Sequence, residues 1–419
     1  MIYFRIFVMA FCLLIATQAK AVNPVKLELP RGFTATVFAN GVGPARHLVV
    51  RENGDVYVTL RRAADGEGVI GLRDIDGDGI ADQQVVFGHA GGTGSVIFHD
   101  YLYFSSDDTV FRVKLAGDEL LPTGDMEVVV SGFKLRRGHP HPAKSLAISA
   151  DGNLFVNAGA PSNACQTNRR ARGSPGREPC PELGHSGGIW KFPAERLNQD
   201  QLTDGTRYVT GVRNAVALTF NEELGELFFV MHGRDQLDVL WPRFFSVEQR
   251  QELPAEEFHV APQGSDFGWP YTYYDGLINQ RMVGPEYGGD GKKAAPDSKY
   301  RSPLATFPAH WAPNGLVFYD GKQFPDEYHD GVFIAFHGSW NRAPGPQGGY
   351  KVIFVPMKNG KPTGDWRTFA DGFMGDKPVR TRSQARHRPV GLAVGPNGSL
   401  YVSDSSGGTI WKISYSTTD

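Results

Sequence analysis

The sequence predicts an all-β fold, a six-bladed β-propeller of four-stranded antiparallel blades, from three observations. Six short segments along the chain each combine an apolar strand, a turn and a second strand rich in Val, Tyr and Phe. The 51 glycines and 28 prolines among 419 residues suit an all-β protein with many turns. No sustained stretch has the 3.6-residue period of a helix. Degenerate copies spread over a whole chain are typical of blades arranged around an axis.

The segment SLAISADGNLFVNAG, residues 145–159, shows the repeat most clearly. Apolar and polar residues alternate on both sides of a turn at Asp151 and Gly152, which is typical of a β-hairpin. With roughly 40–50 residues per blade, six blades account for residues 22–419 as a single domain. The other five copies begin at Ala45, Gly92, Asn214, Asn314 and Pro389.

Residues 32–39, GFTATVFA, form a strand without a partner nearby in the sequence. Residues 409–414, TIWKIS, are the last strand of the chain and stand equally alone. Propellers often close their ring by pairing the two ends of the chain. We therefore expect these two strands to lie side by side in the last blade.

The first 21 residues predict a secretory signal peptide. They contain the basic Arg5, an apolar run over residues 6–16 and the small-x-small ending at residues 19–21. The run is too short for a transmembrane helix, and an uncleaved N-terminal anchor is the alternative. The prediction is a periplasmic or secreted protein that does not span the membrane. Cys165 and Cys180 are the only cysteines after residue 21, so we expect them to form a disulfide.

An acidic loop, LRDIDGDGIAD, has the spacing of a calcium-binding loop. Asp74, Asp76, Asp78 and Asp82 stand at its positions 1, 3, 5 and 9. Carboxylates at alternate positions of a coiled loop point inward, and hard oxygen ligands suit Ca²⁺. A structural calcium site is predicted here, with a solvated acidic turn as the alternative.

The formal net charge of −2 gives no general attraction to nucleic acid or to an anionic membrane.

The positions just before the innermost strands of the blades carry many polar side chains. If each strand enters from the same side, these residues surround one pocket. Basic side chains that face one pocket are costly unless an anionic group neutralises them. They predict a small polyanion or a cofactor with several carboxylates, with a solvated loop or a blade-capping hydrogen bond as the alternative for each residue. The residues are Arg46, Thr93, His141, Lys144, Arg213, Asn214, Asn314, His337 and Arg388.

Seven segments of the chain carry a resemblance to a known family: VRNAVALTF, HGRDQL, EEFHVAPQGSDFGWPYTYYDG, EYGGDG, PNGLVFYDGKQFP, AFHGSWNR and RPVGLAVGPNGSLYVSD. They resemble the soluble pyrroloquinoline-quinone (PQQ) sugar dehydrogenases, especially the L-sorbosone and pyranose dehydrogenases. The resemblance covers essentially all of the chain after residue 21. It implies a six-bladed propeller that binds PQQ and Ca²⁺ at one mouth of its channel. It also implies oxidation of a sugar or sugar-derived aldehyde, and a separate electron acceptor such as a cytochrome or a quinone.

The same resemblance implies roles for individual residues. His141 is the expected general base, and Arg213 with Asn214 is expected at the reaction centre and at the cofactor. The backbone carbonyls of Gly233 and Arg234 are expected to hold the active-site Ca²⁺, with Glu257 nearby. The expected contacts to the PQQ carboxylates are Arg46, Lys144, His337 and Arg388. Four aromatic residues offer sugar-stacking faces, with packing in the core as the alternative for each: Trp269, Tyr271, Trp311 and Trp340.

Two other functions remain open from the sequence. One is a calcium-dependent lactonase-type hydrolase on a similar propeller, which would need carboxylate and Asn side chains to converge on the metal. The other is a non-catalytic propeller that binds a partner through its loops. The mostly basic residues at the blade mouths favour the dehydrogenase.

Overall fold

A computed structural model describes residues 25–64, 66–135, 138–296 and 298–417. The predicted signal peptide, residues 1–21, lies outside the described residues. Six four-stranded antiparallel sheets form the blades of a β-propeller, as the sequence predicts. In each blade the first strand lines the axis and the next ones follow outward.

The first three blades contain thirteen strands, because the second blade has one short additional strand. The first blade holds β2 (Ala45–Val50), β3 (Val56–Ala64), β4 (Glu67–Arg73) and β5 (Gln83–Phe87). The second holds β6 (Ser95–Phe98), β7 (Tyr101–Ser105), β8 (Val110–Lys114) and β9 (Glu127–Ser131). The short β13 (Gln199–Asp200) pairs with β9 in parallel. The third holds β10 (Leu146–Ile148), β11 (Asn153–Ala158), β12 (Gly188–Pro193) and β14 (Thr206–Thr210). The lone β1 (Phe33–Ala39) belongs to the last blade.

The last three blades follow the same order. The fourth holds β15 (Ala217–Asn221), β16 (Glu226–Met231), β17 (Glu256–Val260) and β20 (Ala305–Phe307). The fifth holds β21 (Pro313–Phe318), β22 (Val332–Phe336), β23 (Lys351–Val355) and β26 (Arg367–Ala370). The sixth holds β27 (Pro389–Val394), β28 (Leu400–Asp404), β29 (Ile410–Tyr415) and β1.

The connections carry a few further elements. Two short hairpins pair β18 (Thr272–Asp275) with β19 (Gln280–Val283) and β24 (Met357–Lys358) with β25 (Lys361–Pro362). The α-helices are α1 (Leu237–Leu240) and α2 (Val247–Glu252), and 3₁₀ turns cover Pro181–Gly184, Pro285–Tyr287, Asp326–Tyr328 and Arg382–Gln384. In the described part of the chain, no helix has the length and hydropathy needed to cross a membrane.

The six predicted hairpins are the first two strands of the six blades. In the third blade, β10 pairs with β11 so that Leu146 faces Val156. Gly152 in the intervening turn has φ +79°, in the left-handed region that glycine adopts without a steric penalty. The turn chemistry seen in the sequence therefore forms the hairpin.

The ring closes as predicted. β1 pairs antiparallel with β29, so that Thr34 faces Ser414. Phe33 at the start of β1 packs edge-to-face on Phe324 and Phe369 of the fifth blade, at ring-centroid distances of 4.8 and 5.0 Å. Hydrogen bonds to β29 hold β1 in the sixth blade, and aromatic contacts of Phe33 pack it against the fifth blade.

The disulfide between Cys165 and Cys180 is present, with Cα atoms 6.2 Å apart. Closure of a loop of about 15 residues stabilises by roughly 3 kcal/mol in the chain-entropy model. The basic loop between the two cysteines does not lie only on the surface. Arg170 extends from the loop and donates to the carboxylate of Asp235 at 2.9 Å. The disulfide loop therefore contributes to the region around the axis.

Candidate active site

A cavity of about 530 Å³ lies where the innermost strands of the blades begin. Its wall consists of residues that precede or open these strands and of loops between the blades. The blade mouths therefore converge on one pocket. The predicted site residues that line it are Arg46, His141, Arg213, Asn214, Gly233, Asn314, His337 and Arg388.

His141 lies just ahead of β10, and its imidazole ring is buried. Nδ1 lies 2.6 Å from the carbonyl oxygen of Ala160, and a carbonyl only accepts, so Nδ1 carries the proton. Burial and then the charge of Arg213 lower the pKa of His141 well below its usual value. The ring is therefore neutral, and its Nε2 lone pair can accept a proton from a group in the cavity.

Gly159 allows the chain to pass closely behind this histidine. A Cβ atom at Gly159 would lie 2.6 Å from the His141 carbonyl oxygen and 2.9 Å from Oδ1 of Asn214. Real Cβ atoms do not approach backbone oxygens so closely. Only glycine therefore brings β11, His141 and Asn214 together here.

The amide of Asn214 has a defined orientation. Asn157 accepts from the N–H of Ala215 with Oδ1, at 3.2 Å, so its Nδ2 is the donor. That Nδ2 donates to Oδ1 of Asn214 at 3.1 Å. Among the residues that the structure describes, no acceptor binds Nδ2 of Asn214. The amide therefore offers a hydrogen-bond donor at the wall of the cavity.

Arg213 is held by a buried network around Asp235. Its Nη2 donates to Oδ2 of Asp235 at 3.0 Å and to Oδ1 of Asn163 at 2.9 Å, and its Nη1 donates to the Gly233 carbonyl at 2.8 Å. Burial alone would raise the pKa of Asp235, but the charges of Arg213 and Arg170 hold it well below its usual range. Asp235 is thus ionised and fixes the guanidinium of Arg213.

Arg46 and Arg388 face the cavity without an ionised partner. Nε of Arg46 donates only to Oγ1 of Thr93, at 3.4 Å, and Arg388 donates to the carbonyls of His337 and Gly338 at 2.9 and 2.8 Å. Burial, followed by the charges of Arg61 and Arg388, lowers the pKa of Arg46 to about 9. Within residues 25–64, 66–135, 138–296 and 298–417, neither arginine forms an ion pair. The cavity therefore has an excess of positive charge.

The structure corrects the expectation for the acidic pair of β17. Glu257 does not line the central cavity, because it contacts Nη2 of Arg281 and Nε2 of His259 on the other face of the strand. Glu256 lines the cavity instead and accepts from the N–H groups of Gly233 and Ala312, at 2.8 and 3.1 Å. Burial raises the pKa of Glu256 to about 7.

Three further predicted residues are not part of the wall. Nζ of Lys144 donates to the carbonyl of Pro142 at 2.8 Å, and burial lowers its pKa to about 8. The guanidinium of Arg234 pairs with Glu286, also away from the cavity. The hydroxyl of Thr93 accepts from Arg46, and Thr93 itself does not line the cavity. The structure therefore does not support Lys144 as a contact to a ligand in this cavity.

Sequence reasoning missed Asp235, Glu256, His232 and His310, which all line the cavity. Nε2 of His232 donates to the carbonyl of Pro313 at 2.7 Å, and Nε2 of His310 donates to that of Arg250 at 2.9 Å. His232 and Asp235 belong to the segment HGRDQL, so that segment held the signal. His310 has a left-handed φ of +66° in an irregular loop, which no sequence pattern indicates.

Of the four aromatic candidates, Trp340 alone lines the cavity, and its side chain is 48% exposed. Trp269 packs against the disulfide and donates to the Asn163 carbonyl at 3.0 Å. Tyr271 accepts from the N–H of Cys180 at 3.0 Å, and Trp311 packs edge-to-face on Phe336. These three side chains belong to the packing of the protein.

The acidic loop lies on the surface, apart from the cavity. Asp74, Asp76 and Asp78 each offer a carboxylate oxygen, and these atoms lie within 4.8 Å of one another. The carboxylate of Asp82 accepts from the N–H of Ile75 at 2.7 Å. The loop thus gathers three of the four predicted calcium ligands, and the calcium site remains a prediction.

One curated relative and the solved structures match nearly all of this chain, and another curated relative matches about a quarter of it. An uncharacterized protein of Borreliella burgdorferi is 24% identical over 99% of this chain and 97% of its own length. The pyrroloquinoline quinone-dependent pyranose dehydrogenase of Coprinopsis cinerea is 32% identical over 26% of this chain and 16% of its own length. The holo form of the PQQ domain of a C. cinerea pyranose dehydrogenase covers 93% of this chain and 97% of its own, at 19% identity and a TM-score of 0.72.

The calcium structure of a Trichoderma reesei enzyme of carbohydrate-active family AA12 has a TM-score of 0.73 at 18% identity, and it covers 94% of this chain and 98% of its own. These structures share the propeller fold of this chain, and the family match given next makes it an oxidoreductase of the PQQ-dependent sugar dehydrogenase class. The chain belongs to the TrAA12-like family of PQQ-dependent oxidoreductases, whose model matches residues 27–416.

Proposed function

We propose that this protein is an exported dehydrogenase that oxidises a sugar or sugar-derived aldehyde with PQQ and Ca²⁺ in the central cavity. The observation that carries the proposal is a pair of arginines, the buried Arg46 and the partly buried Arg388, which face one cavity without an ionised partner. Buried charge without compensation is costly, so such a site is suited to an anionic ligand.

The residues of the cavity fit this pair of cofactors. PQQ has three carboxylates, and arginines bind carboxylates through charge-assisted hydrogen bonds. Arg46 and Arg388, with His337 between them, would hold these groups. The peptide of Gly233 is fixed on both sides, by Glu256 at its N–H and by Arg213 at its carbonyl. Carbonyl oxygens of Gly233 and Arg234 with the carboxylate of Glu256 are the hard donors that Ca²⁺ prefers.

When bound, PQQ accepts a hydride, and Ca²⁺ makes it a better acceptor as a Lewis acid. The protein supplies the proton chemistry. Nε2 of His141 takes the proton of the substrate hydroxyl, because its Nδ1–H is already committed to Ala160. Nδ2 of Asn214 and the charge of Arg213 stabilise negative charge as it develops in the cavity. Asp235 keeps Arg213 in place.

The hydrolase alternative has less support. It needs several acidic or Asn ligands to converge on a metal in the cavity. Among the described residues, three His, Cys, Asp or Glu ligand atoms come together in the 74–78 loop and around the disulfide with Glu182. The cavity itself has six arginines, two carboxylates, Asp235 and Glu256, and the side-chain amides of Asn214, Asn314 and Asn341. That balance favours an anionic cofactor.

The cellular setting follows from the covalent structure and from the reaction. A disulfide between Cys165 and Cys180 is typical of an oxidising compartment, which supports a periplasmic or secreted protein. A dehydrogenase that keeps its cofactor must pass its electrons on. We propose a separate acceptor, a cytochrome or a quinone.

The proposal is tested by titrating the purified apo-protein with PQQ and Ca²⁺ while dye reduction is followed with a panel of aldoses, ketoses and sugar aldehydes. We expect sugar-dependent dye reduction that saturates with PQQ and requires Ca²⁺. PQQ binding without turnover would support a binding propeller instead. Calcium-dependent lactone hydrolysis without PQQ would support the hydrolase.

A further inference from the structure

The mouth of the central cavity carries positive charge that the proposed cofactors do not need. Six arginines line the cavity. Arg61 pairs with Asp107 at 2.9 Å, and Arg170 and Arg213 share Asp235. Arg46 and Arg388 are assigned above to the carboxylates of PQQ. Arg382 remains, because it has no ion-pair partner in the part of the chain that the structure describes.

Arg382 is exposed and stands on a well-defined turn at the mouth. The side-chain oxygen of Gln384 accepts from the N–H groups of Arg380 and Thr381, at 2.8 and 3.1 Å. The N–H of Gln384 donates to the Thr381 carbonyl at 3.0 Å. The turn therefore presents Arg382 to the entrance of the cavity from a backbone that is already ordered.

Trp340 lies on the adjacent segment, which is hydrogen-bonded to this turn. Gln347, a buried residue of the Trp340 loop, donates its N–H to the Val379 carbonyl at 3.2 Å and its side-chain amide to the Arg380 carbonyl at 3.1 Å. Its side-chain oxygen accepts from Ser339, next to Trp340, at 2.6 Å. An exposed indole and a free guanidinium thus stand on two connected segments at the mouth of one cavity.

We propose that Trp340 and Arg382 form an outer subsite for a sugar that carries a carboxylate, so that the preferred substrates are uronic acids or related sugar acids. The inference rests on the proposed function. The indole stacks on the pyranose ring, and the guanidinium pairs with the carboxylate. Oxidation at C1 of such a sugar would give the lactone, with the hydroxyl proton taken by Nε2 of His141 and the hydride by PQQ when it is bound. The carboxylate takes no part in the redox step.

The test compares each uronic acid with its neutral parent, glucuronate with glucose and galacturonate with galactose, in the holo-protein. We expect a higher kcat/KM for the uronates, which falls with added salt because an exposed ion pair is screened. Arg382→Gln should lower the uronate-to-hexose ratio roughly fivefold, the upper end for an exposed ion pair. Trp340→Ala should raise KM for both sugars of a pair.

Arg380→Gln is the matched control, because Arg380 is exposed two residues away and does not line the cavity. It removes the same charge and should leave the ratio unchanged. A parent protein that prefers the neutral sugars would overturn the inference, as would an equal loss on both sugars in Arg382→Gln. A weaker affinity for PQQ in Arg382→Gln would overturn it too, by assigning this arginine to the cofactor. If the parent oxidises no sugar with PQQ, the proposed function itself fails.

Discussion

Charged side chains cluster in two places, the central cavity and the acidic loop over residues 74–82. The two clusters differ in the sign of their charge, in burial and in hydrogen bonding. The cavity is basic, and several of its charged groups, among them Arg46, Arg213 and Glu256, are buried and hydrogen-bonded to the protein. The loop is acidic and exposed, and its carboxylates accept hydrogen bonds from its own backbone, as Asp74 does from Gly77 and Gly79 at 2.7 and 2.9 Å. A buried charge needs a partner, whereas an exposed one is solvated. Substitutions in or near the cavity should therefore have larger effects than those in the loop.

The largest effect is expected for His141→Ala. Loss of a positioned proton acceptor should lower kcat by about 10²–10⁴, the usual share of acid–base catalysis. Affinity for PQQ should change little, because the arginines supply it. Steady-state kinetics and a PQQ titration measure the two effects separately. His139→Ala on the same turn is the control and should cost far less, so equal losses in both variants would show that His141 has a structural role.

Lys144→Met probes a buried charge just outside the cavity. Its pKa is about 8 in the folded protein against 10.5 in the unfolded chain, so burial of the charged form costs roughly 3 kcal/mol below pH 8. The unfolded state binds more protons between these two values, so the stability of the parent rises with pH in that window. The substitution should raise the free energy of unfolding below pH 8, and the gain should shrink toward pH 10.5.

Urea unfolding at several pH values measures this gain, with Lys114→Met on the exposed face of β8 as the control. Affinity for PQQ should stay the same, because Lys144 does not line the cavity. A marked loss of PQQ affinity in Lys144→Met would show that Lys144 contacts the cofactor.

Arg46→Met removes a cavity charge that has no ionised partner. We expect a loss of PQQ affinity of roughly 10- to 100-fold, the range for hydrogen bonds to charged groups. The apo-protein should become more stable, because the substitution removes an uncompensated buried charge. Fluorescence titration and thermal unfolding measure the two changes. Arg62→Met, an exposed arginine of β3, should change neither quantity.

Asp76→Ala in the acidic loop should have the smallest effect. If the loop binds a structural Ca²⁺, the Tm in saturating calcium should fall by about 1–2 °C for each kcal/mol lost, because the entropy of unfolding grows with chain length. Affinity for PQQ should be unchanged. Calorimetry in calcium and in a chelator measures the difference, which should disappear in the chelator. Equal Tm values of variant and parent in calcium would mean that the loop is a solvated turn.

The sequence by itself determined the propeller, its closure and the disulfide. Alternating strands on either side of a turn such as Asp151–Gly152 encode hairpins locally, so six hairpins could be counted without any structure. The strand at residues 32–39 has no partner nearby in the sequence, so the last strand of the chain was the remaining strand with which it could pair. The residues before the innermost strands, among them His141 and Arg388, could be assigned to one pocket because the repeat fixes where each blade begins.

The tertiary structure alone decided which side chains face the cavity. Glu256 and Glu257 are neighbours on one strand, and a shift of one residue in register exchanges their faces, which composition cannot reveal. Lys144 is nearer to the start of β10 than His141 is, yet its amine donates to the Pro142 carbonyl. Asp235 and Arg170 meet although 65 residues separate them. Such contacts depend on how loops from different blades pack together, and local sequence patterns carry no information about that packing.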